Sequence, residues 1–174
     1  MIALGLINEL SAQPFEFEAF DAPGPNVAHG RPYVLEPKPN YAFCTDEGDR
    51  TDLTDGRMAS EGPLLWTNKK AVGWVNAKVA NITIDLGQSR FIGGLSFSTA
   101  AGPWAGVTWP VAILILVSDD GEHFHYADEL RYLAWRHSVL PSAGRYVFRT
   151  DQLRTRGRFV RLSVAASGAY VMCD

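Results

Sequence analysis

The stretch Asn81-Ile-Thr-Ile-Asp-Leu-Gly87 alternates apolar and polar residues and ends at a glycine. Its three apolar side chains would share one face of an extended chain, because successive side chains of a strand point to opposite sides. The polar residues between them would face solvent. The pattern therefore predicts a half-buried β-strand over residues 81–86.

Further strands are predicted where short runs rich in Val, Ile, Phe and Tyr are separated by Gly, Asp, Asn or Pro. The run Ala112–Ser118 is apolar almost throughout, which is typical of a central strand, and Asp119-Asp120-Gly121 predicts a hairpin turn after it. The other predicted strands cover residues 91–99, 124–130, 145–150, 158–165 and 169–173. Asp128–His137 is the best helix candidate, although it could equally be a strand end and a loop. So many short strands predict an all-β antiparallel β-sandwich or jelly roll.

Size and composition limit the possible functions. The chain has 174 residues, enough for one sizeable core, and a formal net charge of −3. That charge argues against nucleic acid as a partner, because phosphate binding relies on clustered Lys and Arg. No apolar run is long enough to cross a bilayer. Residues 1–32 are rich in Pro, Gly, Ala and acidic residues and are predicted to be an N-terminal arm or linker, with one domain over residues 33–174.

Four segments, taken in order, carry a family resemblance: Asp52-Leu-Thr-Asp-Gly56 followed by Trp66, Asn81-Ile-Thr-Ile-Asp-Leu-Gly87 followed by Ile92-Gly-Gly-Leu95, Val117-Ser-Asp-Asp-Gly121 followed by Phe124, and Gly157-Arg-Phe-Val-Arg-Leu162. Together they resemble the galactose-binding-like superfamily, which includes discoidin domains, coagulation-factor type C domains and bacterial carbohydrate-binding modules. The resemblance implies a non-catalytic module that binds a glycan on its end loops. It also implies an extracytoplasmic location and fusion to a further domain of a larger secreted or cell-surface protein.

The resemblance further implies a structural Ca²⁺ in the acidic segment of residues 46–56. In the family, the aspartate of the Asp-Gly pair, nearby carbonyls and an acidic residue of the last strand hold the ion. Carried over to this chain, these are Asp55, the carbonyl of Leu53, and Asp174. The alternative is a solvated acidic turn in which Asp55-Gly56 simply makes the turn.

The chain has two cysteines, Cys44 and Cys173. Type C domains often join their beginning to their end with a disulfide, and these two residues stand where that bridge would be. The resemblance therefore implies a Cys44–Cys173 disulfide, which would require an oxidising compartment. Two separate buried thiols are the alternative.

Four of the five tryptophans lie in two segments between predicted strands, residues 66–74 and 102–109. Binding residues are over-represented in such loops. An aromatic face can pack against a sugar ring while amide and ammonium groups donate to its hydroxyls. The predicted ligand-binding residues are Trp74, Trp104, Asn68 and Lys69; the other two tryptophans of these segments could pack in the core.

Two other functions remain open at this stage. The same loops could contact a protein or lipid surface, as in an adhesion domain. Alternatively, His123 and His125 followed by Glu129 resemble the metal-binding half of a cupin, which would make the chain a metal-dependent jelly-roll enzyme. The glycine spacing of cupins is absent, however, so the prediction is a non-enzymatic module.

Overall fold

The computed structural model describes residues 24–59, 64–135 and 140–174. They form the strands β1 (Tyr33–Glu36), β2 (Val72–Val75), β3 (Val79–Ile92), β4 (Leu95–Ala101), β5 (Ala112–Ser118), β6 (His125–Glu129), β7 (Gly144–Thr150), β8 (Thr155–Ala165) and β9 (Tyr170–Cys173). One short helix, α1 (Leu130–Trp135), follows β6, and single 3-10 turns cover Glu47–Arg50, Leu65–Thr67 and Pro103–Ala105. None of the described helices is long and apolar enough to cross a membrane.

The larger layer is a five-stranded antiparallel sheet in the order β1-β3-β8-β5-β6. The apolar run of β5 lies between β8 and β6, in agreement with its predicted central position. β3 is longer than predicted because its pairing with β8 shifts register between Asp85 and Arg90 and then resumes. Gly87 lies in this irregular stretch at φ +80°, a left-handed conformation that glycine adopts without steric cost.

The opposite layer consists of two antiparallel pairs, β2 with β9 and β4 with β7. Hydrogen bonds connect the two pairs: the Asp174 N–H donates to the Ser98 carbonyl at 3.2 Å, and the Thr99 hydroxyl donates to the Met172 carbonyl at 2.5 Å. The last strand of the chain therefore lies beside β4 and links the pairs into one layer.

The main core fills the space between the layers. The larger sheet contributes buried residues that alternate along each strand, as in Ile82–Leu86, Ile113–Val117 and Val160–Val164. The opposite layer contributes Trp74, Phe97, Phe148, Val171 and Cys173. This confirms the predicted antiparallel β-sandwich.

The sequence missed two strands and left one element undecided. β1 and β2 are each four residues long, too short for an alternating pattern to stand out. The described part of the helix candidate, residues 128–135, forms the end of β6 and the short helix α1, and its last two residues lie outside the described residues. Residues 1–23 of the predicted arm lie outside the described residues. Its described part, residues 24–32, packs Val27 and Ala28 against the main core, and the Gly30 N–H donates to the Thr54 carbonyl at 2.7 Å, so these residues belong to the packed domain and not to a linker.

An ion pair joins β3 to β8 just before the register shift, and it predicts a dependence of stability on pH. Arg158 donates to both carboxylate oxygens of Asp85, at 2.9 and 2.8 Å, and holds the pKa of that carboxyl down at about 2. Because the folded-state pKa lies below the unfolded value, this stabilisation is present above about pH 4 and is lost as the pH falls toward 2. Both side chains are partly exposed, so we expect Asp85→Asn to cost less than about 1 kcal/mol at neutral pH.

Urea unfolding of wild type and Asp85→Asn at pH 7 and pH 3 measures this contribution. The difference in unfolding free energy between the two proteins should shrink at the lower pH. A difference that stays constant would show that the interaction does not depend on the charge of Asp85.

Candidate functional site

The loop of residues 102–107 holds a tryptophan out into solvent. Gly102 and Val107 form a two-way backbone bridge, with N–O distances of 2.8 and 3.2 Å, and the Ala105 and Gly106 amides donate back within the loop. The glycine at position 106 has φ +72°, which allows the chain to turn back sharply. Trp104 lies at the tip and is 72% exposed. The loop is thus closed by its own hydrogen bonds and presents an indole on a fixed backbone.

A set of aromatic rings continues from this loop across the neighbouring surface. Gly106 lies against the ring of Tyr170, whose Cε2 atom would be 3.5 Å from a Cβ at that glycine. Tyr170 packs edge-on against Tyr41 at 5.4 Å between ring centroids, and Tyr41 contacts Phe43 at 5.6 Å. The ring of Phe43 is 67% exposed. We refer to Trp104, Tyr170, Tyr41 and Phe43 as the aromatic surface.

Lys69 brings a positive charge to this surface. Its ammonium donates to the carbonyls of Ala42 and Thr45 at 3.4 and 3.2 Å, on either side of Phe43. The preceding residue, Asn68, accepts from the Lys70 N–H at 2.9 Å through its side-chain oxygen and so shapes the turn that carries the lysine. Two of the predicted ligand-binding residues therefore adjoin the aromatic surface, Lys69 beside it and Asn68 in the supporting turn.

Trp74 does not belong to this surface. Its side chain is fully buried in the main core, and its indole N–H donates to the Pro37 carbonyl at 2.7 Å. It belongs to the unpredicted strand β2, whose residues 72–74 are all buried, and is not in a loop. The prediction that Trp74 contacts a ligand is wrong because the strand turns its indole into the sandwich.

Trp66 and Trp109, the two tryptophans that were predicted to be possible core residues, both pack inside the protein. Trp66 is buried beneath the 102–107 loop, where a Cβ at Gly102 would overlap its indole. Trp109 packs edge-on against Tyr146 and Phe148 and donates its N–H to the Pro141 carbonyl at 2.8 Å. Trp66 therefore supports the Trp104 loop from below, and Trp109 packs against the main core.

The two cysteines are free thiols, so the implied disulfide is not formed. Cys44 packs near Gly73 together with Met172, while Cys173 lies in the main core. Neighbouring residues of a strand point to opposite sides. Because Met172 of β9 points toward Cys44, the next residue, Cys173, points away from Cys44. Burial raises the pKa of Cys44 to about 12 and that of Cys173 above its ordinary value, which keeps both thiols protonated at neutral pH.

The implied calcium ligands do not suit a cation as they stand. The Asp174 carboxylate is only 1% exposed and already receives the Arg145 guanidinium at 2.8 Å together with the Ala59 N–H. Asp55 uses one oxygen to accept the Arg57 N–H at 2.7 Å, as in a simple turn. Because an internal guanidinium neutralises Asp174, a divalent ion there would meet a positive charge. We therefore derive no role for calcium at Leu53, Asp55 and Asp174.

The histidine motif forms a small cleft rather than a cupin-like metal centre. His123, His125 and Arg156 line a space of about 170 Å³ together with residues 117–120. Asp120 accepts from the Glu122 and His123 amides and lies 2.8 Å from the His123 Nδ1, and these contacts lower its pKa. This is the turn chemistry that the sequence predicted for the hairpin.

Glu129, the third member of the motif, uses its carboxylate to accept backbone hydrogen bonds. Its two carboxylate oxygens accept from the amides of Ile113, Arg131 and Tyr132 at 2.8 to 3.0 Å, so it caps the start of α1. Among the described residues, three side chains lie close enough together to hold a metal ion. They belong to Asp46, Asp49 and Asp52, and none of them is part of the histidine motif. The structure thus favours a turn and a helix cap at the histidine motif.

Three members of the aromatic surface were missed by sequence reasoning. Tyr41 and Phe43 lie in an irregular segment before the Asp-Gly turn, and Tyr170 begins β9. The only signal in the sequence was the i, i+2 spacing of two aromatic residues in a loop. Their proximity to Tyr170, about 130 positions away in the chain, depends on the pairing of β2 with β9.

Comparison with known proteins places the fold. No family model and no curated protein matches the chain. Among solved structures, the chain is similar to the CBM32-6 module of CpGH89 from Clostridium perfringens, with a TM-score of 0.50, 14% identity and coverage of 86% of this chain and 97% of that one. It is also similar to the CBM32-5 module of the same protein, in complex with GalNAc-β-1,3-galactose, with a TM-score of 0.52, 16% identity and coverage of 81% and 88%.

A third similar structure is the chitosan-binding module 2 of a chitosanase/glucanase from Paenibacillus sp. IK-5, in complex with chitotriose, with a TM-score of 0.51, 16% identity and coverage of 85% and 95%. All three neighbours are carbohydrate-binding or chitosan-binding modules. At these identities the likeness establishes the fold. The chain therefore shares the antiparallel β-sandwich fold of these modules, the fold that its sequence predicted.

Proposed function

We propose that this chain is a non-catalytic carbohydrate-binding module whose ligand packs on the aromatic surface. The observation that carries the proposal is the exposure of Trp104 on a loop closed by its own hydrogen bonds. A large apolar side chain held out into water by an ordered loop is unfavourable for folding alone, and such exposed apolar groups mark interaction sites.

The chemistry of the aromatic surface suits a sugar. The negative face of an aromatic ring attracts the weakly positive C–H bonds of a pyranose ring, and a rigid platform loses little conformational entropy on binding. Lys69 adds a hydrogen-bond donor beside Phe43. A surface of this composition, with several rings and few polar groups, is typical of small-ligand sites.

The fold neighbours support the class of ligand. One of them is in complex with GalNAc-β-1,3-galactose and another with chitotriose, so this sandwich supports glycan binding in other chains. By extension we propose an extracytoplasmic location and attachment to a further domain that acts on the bound glycan. The role of the module would then be to hold that domain at its substrate.

A binding titration tests the proposal. Galactose, GalNAc-β-1,3-galactose and chitotriose are titrated calorimetrically into wild type, Trp104→Ala and Phe43→Ala. Binding of at least one glycan is expected, with a loss of about tenfold or more in affinity in both variants, because truncation of a central aromatic contact costs more than about 1 kcal/mol. The thermal unfolding midpoints of the variants should stay close to that of wild type.

Tyr126→Ala is the matched control, since Tyr126 is an exposed aromatic residue on β6, outside the aromatic surface. It should bind like wild type. Wild-type protein that binds none of a broad panel of glycans, or a Trp104→Ala variant that binds normally, would overturn the proposal.

A further inference from the structure

The small cleft at the histidine motif lies at the opposite end of the sandwich from the aromatic surface. It is lined by Arg156 of β8 and by residues of β5, β6 and the hairpin between them. β5 has seven residues and, at about 3.3 Å per residue, spans about 20 Å. The Trp104 loop precedes the first residue of β5 and the cleft lies at its last, so one sugar ring cannot contact both places.

Two oppositely charged side chains line this cleft without pairing with each other. The Arg156 Nε donates to the Ser89 hydroxyl at 3.2 Å, which directs the guanidinium toward β3. The Asp119 Oδ1 accepts the Arg158 N–H at 3.2 Å, which holds that carboxylate at the hairpin. In the described part of the chain, the two terminal nitrogens of Arg156 and the Asp119 Oδ2 have no hydrogen-bond partner. A donor group and an acceptor group therefore remain for a ligand that lies between them.

The imidazole of His123 offers a third polar group with a defined direction. The His123 and Glu122 amides donate to the Asp120 Oδ1, and the His123 Nδ1 lies 2.8 Å from the Asp120 Oδ2. These contacts lower the pKa of Asp120, so its carboxylate is ionised at neutral pH. An ionised carboxylate can only accept, so Nδ1 carries the hydrogen and Nε2 is left for a ligand.

An exposed aromatic ring borders the cleft. Phe91 lies directly opposite Arg156 in the pairing of β3 with β8, and its side chain is 65% exposed. Directly opposite residues of an antiparallel pair share one face, with their Cβ atoms about 4.5–5.5 Å apart. The ring therefore extends the wall that Arg156 forms.

This combination of groups favours a neutral ligand with several hydroxyls over an ion. An anion in the cleft would meet the Asp119 carboxylate, and a cation would meet the Arg156 guanidinium. Adjacent hydroxyls of a sugar ring both donate and accept, so they can satisfy the two charged groups together. The volume of about 170 Å³ is below the roughly 300–1,000 Å³ of sites for drug-sized ligands, so the cleft suits a single ring.

We infer that the cleft is a second saccharide-binding site, in which Arg156 and Asp119 hold adjacent hydroxyls of one sugar ring and Phe91 packs beside it. The class of ligand rests on the proposed function, whereas the position and the polar groups of the site do not. Because the two sites lie at opposite ends of the sandwich, the module would hold two separate glycan segments.

An NMR titration of the full chain tests the inference. Galactose, glucose and N-acetylglucosamine are added separately, at millimolar concentrations, to isotope-labelled wild type, Arg156→Ala and Asp119→Asn. In wild type, at least one sugar is expected to shift the amide signals of the 118–125 hairpin, with weak affinity because one small ring makes few contacts. Both variants should weaken this binding about tenfold or more, since each loses a hydrogen bond to a charged group. Arg156 and Asp119 are exposed, so both variants should fold normally.

Two control variants complete the experiment. Arg154→Ala removes an exposed arginine that does not line the cleft, two positions before Arg156, and should bind like wild type. Trp104→Ala should lose the sugar-induced shifts around the aromatic surface and keep those of the hairpin, so failure of the proposed function and failure of this inference give different results. The inference would be overturned if no sugar shifts the hairpin signals, if Arg156→Ala and Asp119→Asn leave those shifts unchanged, or if Arg154→Ala removes them equally. A hairpin that responds to sodium sulfate and to none of the sugars would also overturn it.

Discussion

Replacing Trp74 with alanine is expected to lower the free energy of unfolding by about 3–5 kcal/mol, the usual cost of removing a fully buried tryptophan. The indole is fully buried in the main core, so its loss leaves a cavity between the two layers. The Pro37 carbonyl would also lose its indole donor. Equilibrium urea unfolding followed by circular dichroism measures the loss.

Trp104→Ala is the control for this prediction because it removes the same side chain from the surface. We expect its unfolding free energy to stay within about 0.5 kcal/mol of wild type, as for most surface substitutions. The two variants should therefore separate cleanly: one loses stability and the other loses ligand affinity. A Trp74→Ala protein of normal stability that fails to bind glycans would restore the ligand-binding role first predicted for Trp74.

The second large effect is expected at the buried ion pair beside the end of β9. Arg145→Met removes the guanidinium that lies 2.8 Å from the Asp174 Oδ2 and that also donates to the Ala59 carbonyl. The Asp174 carboxylate would remain buried and charged without a counter-ion. Breaking one side of such a pair typically costs about 3–5 kcal/mol, and we expect a loss of that size.

Arg158→Met provides the matched comparison, since Arg158 pairs with Asp85 on a partly exposed part of the larger sheet. It should cost clearly less stability than Arg145→Met, because solvent screens the Arg158–Asp85 pair. The double variant Arg145→Met/Asp174→Asn should recover part of the loss, because it removes the unpaired charge. Equal losses in the two arginine variants would contradict the role of burial.

The sequence predicted the sandwich well because β-strands leave a local signature. The alternation over residues 81–86 and the apolar run of β5 each reflect which side of a sheet meets the core, and that depends only on the period of two. The turn at residues 119–121 has an equally local cause, since the side chains of Ser118 and Asp120 hydrogen-bond to the amides that follow them. Strand positions and this hairpin therefore followed from neighbouring residues.

Only part of the candidate site was predicted from the sequence. The physical reason why a residue was predicted or missed differs from one residue to the next. Trp104 was predicted to bind a ligand because its segment lies between predicted strands, and the glycine and proline residues around it are typical of a surface loop. Trp74 was misassigned because its segment lacks an alternating pattern, so that nothing local distinguishes a short buried strand from a loop. Lys69 adjoins Phe43 only because the turn after Leu65–Thr67 folds over residues 42–45.

The sequence by itself thus determined the strands, the fold that they build and the exposed loop of Trp104, all of which depend on residues close together in the chain. Tertiary structure alone decided which aromatic rings join Trp104, which cation neutralises Asp174 and why the two thiols stay apart. Each of these depends on strand pairings that join distant residues, such as β2 with β9 and β4 with β7. The direction of a side chain at such a pairing is set by register, and register is fixed only when both layers pack on one core.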